Sequence, residues 1–126
     1  IDVNTPIEEA ARIMADLKIG GVPVLRNGKV VGIITETDLF KILLELMGAR
    51  TKALRVTAVI NNKPGLLAKV SKAIADAGGN FIALGIFSGD DPSTSVLTFK
   101  VTGITKENVK NSLDKIVNKF WDIRQS

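Results

Sequence analysis

Thr35 and Asp38 are the first residues of the chain whose types and spacing point to chemistry. They stand three positions apart in "GIITETD", Gly32 to Asp38, where an apolar strand gives way to a helical pattern. A hydroxyl followed three residues later by an acid is the arrangement of a capping box, which satisfies free N–H groups at a helix start. An acid in the first turn is also favoured by the helix dipole. The same geometry suits a ligand. A helix start offers N–H groups to a phosphate, Thr35 adds a hydroxyl, and Asp38 can accept from the two hydroxyls of a ribose. Gly32 would let the backbone approach closely. Capping alone accounts for the spacing, and the two roles are compatible.

A second constellation is "NNKPGLL", with Asn62, Lys63, Pro64, Gly65, Leu66 and Leu67 at a strand-to-helix turn. Its plain reading is Asn62 as helix cap and Gly65 for backbone freedom. Its functional reading is capture of a carboxylate by the N–H groups that follow Pro64. Asp90 and Asp91 are a weak Mg²⁺ pair. In a Gly, Pro and Ser loop they read as solvated acids, and no metal site is expected. Lys106, Lys110 and Lys119 read as a solvated helix face. Trp121 reads as a core or interface anchor rather than a stacking platform.

The chain has neither histidine nor cysteine. The commonest general base, the commonest transition-metal ligand and every thiol nucleophile are therefore absent. No catalytic residue is assigned, and a non-enzyme is expected.

The elements that must position these residues fall into two units. In the first, Thr5, Pro6 and Glu8 read as N-cap, first helical residue and capping-box partner. Ile7, Ala10, Ala11, Met14 and Leu17 then recur at helical spacing, and Gly20-Gly21 stops the helix. "VPVL" and "KVVGIIT" read as strands joined at Asn27-Gly28, a strong hairpin signal. Glu36 to about Met47 reads as a helix too apolar for one-sided exposure. "GARTKA", residues 48–53, reads as the linker. In the second unit, "LRVTAVI", "NFIALGIF", "VLTFKV" and "FWDIR" read as strands. Helices are expected over residues 66–77, ended by Gly78-Gly79, and over 106–119. The order β-α-β-β-α-β implies a ferredoxin-like sandwich. The fold class is α+β, with domains at 1–50 and 51–126.

At 126 residues and 45% hydrophobic the chain can bury a core. Residues 1–50 carry 6 basic and 7 acidic side chains, and residues 51–126 carry 11 and 6. That balance suits small anionic ligands. Nucleic acid is not expected as a partner, because basic residues are not interleaved with stacking aromatics. No apolar run reaches the roughly 18 residues of a membrane span, and no leader pattern opens the chain, so a cytoplasmic protein is expected. The chain opens at Ile1 inside a patterned region and reads as a piece of a longer protein.

Residues 1 to about 47 resemble a cystathionine-β-synthase (CBS) motif. The likeness rests on Thr5-Pro6, the Ala10/Met14 helix, Gly21-Val22-Pro23-Val24, Asn27-Gly28, and Gly32 to Asp38 with Thr35. The strand that usually leads into Thr-Pro is nearly absent. The resemblance implies an adenosine-type ligand (AMP, ADP, ATP or S-adenosylmethionine). Thr35 would meet its phosphate and Asp38 its ribose, with Thr5 and Ile19, Gly21, Val22 and Pro23 around the adenine. Residues 54–124 resemble an ACT domain, through "RVTAVINNKPGLLAKVSKAIADAGGNF". That implies an amino acid at a domain–domain interface, touching Asn62, Gly65 and Leu66 and also Asn80, Phe81 and Ile82. The pairing is similar to CBS–ACT proteins of the acetoin-utilisation B type, which carry two CBS motifs, so an upstream motif is expected. Both families imply association, and a homodimer is expected. The alternative is the regulatory part of a larger metabolic enzyme or transporter.

Overall fold

Helical and alternating apolar patterns divide the chain into two compact units, residues 1–44 and 45–126, in a computed structural model that describes residues 1–126. The first unit holds α1 (Ile7–Leu17), β1 (Gly21–Arg26) and β2 (Lys29–Thr35), and α2 (Glu36–Leu46) begins in it. The second holds β3 (Leu54–Asn61), α3 (Leu66–Asp76), β4 (Asn80–Ser88), β5 (Thr94–Thr102), α4 (Lys106–Leu113) and β6 (Lys119–Gln125).

In the first unit β1 and β2 pair antiparallel through a turn at Asn27 and Gly28, both at positive φ. The lead-in segment is reduced to one parallel bridge, Asp2 to Leu25. Two helix ends differ from expectation. Thr5 does not cap α1. Pro6 takes the cap position without a side-chain bond, because the Thr5 hydroxyl instead accepts from the Asp2 N–H at 3.1 Å. At the other end Lys18, not glycine, adopts the left-handed conformation. The Ile19 N–H to Met14 and the Lys18 N–H to Ala15 then close the last turn as a Schellman motif. Only Ala10, Met14 and Val22 are buried apolar side chains here. No residue of α2 is buried, despite its composition.

The second unit is the expected βαββαβ sandwich. Its sheet is antiparallel in the order β4-β5-β3-β6, so β4 and β6 are the edges. Val56, Ala58, Leu97, Phe99 and Val101 face α3 and α4, which contribute Val70, Ile74, Val109 and Leu113 to the core. Gly78 sits at φ +90 and Gly103 at φ +77, and a Cβ on Gly103 would lie 2.7 Å from the Gly78 carbonyl oxygen. At Gly103 the contact leaves no room for a side chain, while at Gly78, where a Cβ would lie 3.5 Å from the Gly103 carbonyl oxygen, it is the positive φ that disfavours one. The final helix stops at Leu113 rather than Lys119, and Lys119 opens β6.

Lys100, on β5, is a lysine only 4% exposed. Its ammonium donates to the carbonyl oxygens of Gly48, Thr51 and Ser126, at 2.9, 2.9 and 3.0 Å. All three of its protons are thereby used, which is what a buried ammonium requires. Residues 48–53, expected as a linker, are folded onto the sheet of the second unit at this point. Ala53 is buried and exchanges backbone hydrogen bonds with Ser126.

Candidate ligand sites

Thr35 and Asp38 form the capping box in the structure. One carboxylate oxygen of Asp38, Oδ2, accepts from the Thr35 N–H at 2.9 Å and from the Thr35 hydroxyl at 3.0 Å. The Asp38 N–H donates to the Thr35 hydroxyl oxygen at the longer distance of 3.5 Å. These bonds to Thr35, the backbone one foremost, hold the Asp38 carboxyl below its ordinary value. The single hydroxyl proton of Thr35 is thus given to Asp38, while the second oxygen of Asp38 is free to accept.

Around this pair the hairpin register gathers most of the other expected residues. Gly21 lies opposite Thr35, Val22 opposite Ile34, and Pro23 opposite Ile33. The Glu36 N–H donates to the Gly20 carbonyl at 3.1 Å, which fixes the Ile19–Gly21 segment against the start of α2. Val22 is buried and offers a ligand no exposed side chain. Thr5 is engaged with Asp2, its hydroxyl accepting from the Asp2 N–H and its own N–H donating to the Asp2 carbonyl. A cavity of about 200 Å³, lined chiefly by apolar side chains of α1 and α2 with Ile19, opens beside the segment. Its lining residues Leu39 and Phe40 were not singled out in the sequence, where they read only as part of the strongly apolar helix from Glu36.

In the second unit the expected residues do not come together. Asn61 pairs with Thr94 at one end of β5, whereas Asn80 pairs with Thr102 at the other. Eight strand steps separate the two groups by roughly 27 Å. Asn62 does not cap α3. Its N–H donates to the Ser93 carbonyl and its side-chain amide to the Pro92 carbonyl, at 2.8 and 3.1 Å. Gly65, at φ +85, takes the cap position instead. The Leu66 side chain is core. Phe81 packs edge-on against Phe99, its ring centroid 5.3 Å away, and is likewise committed to the core. Ile82 is the extra residue of a β-bulge, and Asn80 is exposed.

Asn62 lines a cavity of about 510 Å³ at the β4–β5 loop, with Phe87, Ser88, Asp90 and Asp91. The Asp91 carboxylate serves the loop itself. It accepts from the N–H and the hydroxyl of Ser93, the hydroxyl foremost, and this lowers its pKa. Trp121 is 51% exposed and is not part of the core.

A helix–hairpin–helix unit and a βαββαβ sandwich define a two-module chain. The chain belongs to the AHAS small subunit-like ACT domain family, which matches residues 56–119, and the CBS domain family matches residues 1–45. It is a CBS domain followed by an ACT-like domain. An uncharacterised protein of Methanocaldococcus jannaschii is 43% identical over 47 residues, which is 37% of this chain and 24% of that protein. A CBS domain-containing protein of Dictyostelium discoideum is 36% identical over 48 residues, 37% of this chain and 33% of that protein. The inosine-5′-monophosphate dehydrogenase of Thermoplasma acidophilum is 49% identical over 39 residues, 31% of this chain and 8% of the enzyme. The match spans a third or less of each of these relatives' own length. No helix is long and apolar enough to cross a membrane.

Proposed function

We propose that the chain is a non-catalytic, cytoplasmic sensor of the acetoin-utilisation B kind. Its CBS domain, within residues 1–50, binds an adenine nucleotide or S-adenosylmethionine. Its ACT domain, within residues 51–126, binds an amino acid. The observation that carries the first half is the Asp38 carboxylate: Oδ2 holds the helix cap and the other oxygen is left for a ribose hydroxyl. Glycine and backbone of residues 19–22 flank it, as an adenine would need.

Ligand binding biases subunit association in this reading. A single amino acid that touches both the Asn62–Leu66 turn and the Asn80–Ile82 strand must lie between two copies, because one copy holds them a sheet's length apart. Val30, Val31 and Ile33 on β2 and Phe40, Leu43 and Leu46 on α2 are all more than half exposed. Their burial needs a second CBS motif, supplied by an upstream motif of the same chain or, where there is only one, by the partner copy of the homodimer.

The test is thermal unfolding with adenine nucleotides, S-adenosylmethionine and the amino acids, on the wild type and on Asp38→Asn. A ligand at 100 times its dissociation constant adds about 2.7 kcal/mol. A nucleotide shift that Asp38→Asn abolishes supports the site. No shift with any nucleotide or S-adenosylmethionine refutes the nucleotide half, and none with any amino acid refutes the other. A second reading is favoured by the Thermoplasma enzyme, which carries a similar segment. The chain would then be the regulatory part of a larger metabolic enzyme or transporter. Co-purification with a catalytic activity would distinguish it.

A further inference from the structure

We propose that the groove between α4 and β6 binds a small planar organic anion, an aromatic carboxylate, independently of the ligands proposed above. Trp121 supplies the stacking face, and Lys106 and Lys110 supply the charge.

Phe120 packs against the core and Ile123 lies in it. Residues three apart cannot share a face of a regular strand, where facing alternates. The conflict is resolved by a β-bulge: Ala58 pairs with Phe120 and Thr57 with Asp122, so Trp121 has no partner on β3. The bulge turns the one tryptophan of the chain outward at a sheet edge. Bulges commonly re-aim a side chain in this way.

Beside it lies a groove of about 280 Å³ lined by Lys106, Lys110, Phe120, Trp121, Asp122 and Ile123. That is close to the about 300 Å³ lower bound of small-molecule pockets. Lys106 and Lys110 are four residues apart on α4 and so project from one face. Neither takes part in any of the four ion pairs of the chain. Asp122, the acid of the groove, is held by Arg124 through two bonds at 2.6 and 3.1 Å. Lys106 also lies within electrostatic reach of Asp122, but neither ammonium is bonded to an acid, so both are placed to meet an external anion next to an exposed indole. An extended peptide pairing with the β6 edge is disfavoured, because the bulge breaks the ladder where such a strand would need it.

The one tryptophan gives a single indole N–H resonance in nitrogen-correlated NMR, so the readout is site-specific. The probe is naphthoate, compared with neutral naphthylmethanol, acetate and inorganic phosphate. The expected result is a saturable indole shift with naphthoate that weakens at least about tenfold in Lys106→Ala/Lys110→Ala. Both lysines are exposed, so that variant folds. An equal shift with naphthylmethanol, or one indifferent to the lysine changes, overturns the anion claim. Equally tight binding of acetate or phosphate overturns the stacking claim. No saturable shift with naphthoate overturns the proposal altogether.

Discussion

The ammonium of Lys100 donates to the carbonyl oxygen of Gly48 at 2.9 Å, across 52 positions of sequence. With Thr51 and Ser126 as its other acceptors, this lysine binds three backbone segments together by itself. Lys100→Met keeps the apolar stem and leaves the Thr51 carbonyl without a donor, while Gly48 still accepts from the Thr51 N–H and Ser126 from the Ala53 N–H. The expected cost is about 2 kcal/mol, from one carbonyl left without a donor and two charge-assisted bonds lost. Urea unfolding measures it, and a loss under about 1 kcal/mol would mean that the acceptors find water.

Gly103→Ala tests the contact between loop ends. The new Cβ would meet the Gly78 carbonyl oxygen at 2.7 Å, on a backbone already at φ +77. A left-handed residue with a side chain costs about 1–2 kcal/mol before any clash. A loss of about 2 kcal/mol or more is expected, as a lower urea midpoint with an unchanged slope. A neutral result would require the two loops to separate.

Thr35→Ala removes the cap of α2 and is expected to cost about 1 kcal/mol. Thr57→Val instead breaks a buried pair, since the Thr57 and Thr98 hydroxyls meet at 3.2 Å with Arg55 donating to Thr57. A loss of about 1–2 kcal/mol is expected there. Chemical denaturation of both variants checks the order of the two effects.

Acid should loosen the protein in a definite direction. Asp38, Asp91 and Asp122 have carboxyls held below their ordinary values by Thr35, Ser93 and Arg124 respectively. A group more acidic folded than unfolded contributes stability above its unfolded pKa, about 3.9 for Asp, and loses it as pH falls through the folded value. Stability should therefore be flat from neutral down to about pH 5 in this respect and fall below about pH 4. In Asp38→Asn the acid-side fall should be shallower. An identical pH profile in that variant would remove Asp38 from the account.

Much of the fold was legible because burial leaves a period. Val70 and Ile74 recur at helical spacing on α3, and Leu97, Phe99 and Val101 alternate on β5. The failures have a common cause, namely a local pattern overridden by something distant. "VLTFKV" puts Lys100 on the face opposite Phe99, which reads as exposed. Nothing within the strand says that residues 48–53 will cover it. Strict alternation in "FWDIR" puts Trp121 with Ile123 in the core, and the bulge reverses that. Thr5 had a good capping context but a nearer donor in Asp2. At the candidate sites, the Thr35–Asp38 pair was legible from spacing because its partners are three residues apart. The separation of Asn62 from Asn80 was not, because it depends on which ends of β5 they meet.

That separation bears on how the chain would behave in a cell. If one amino acid must touch both ends of the sheet, it does so only where two copies meet, and the fraction of chains occupied then rises in proportion to chain concentration when copies are scarce. Such a chain would read metabolite level multiplied by its own abundance. Doubling its expression would move its response threshold without altering any residue.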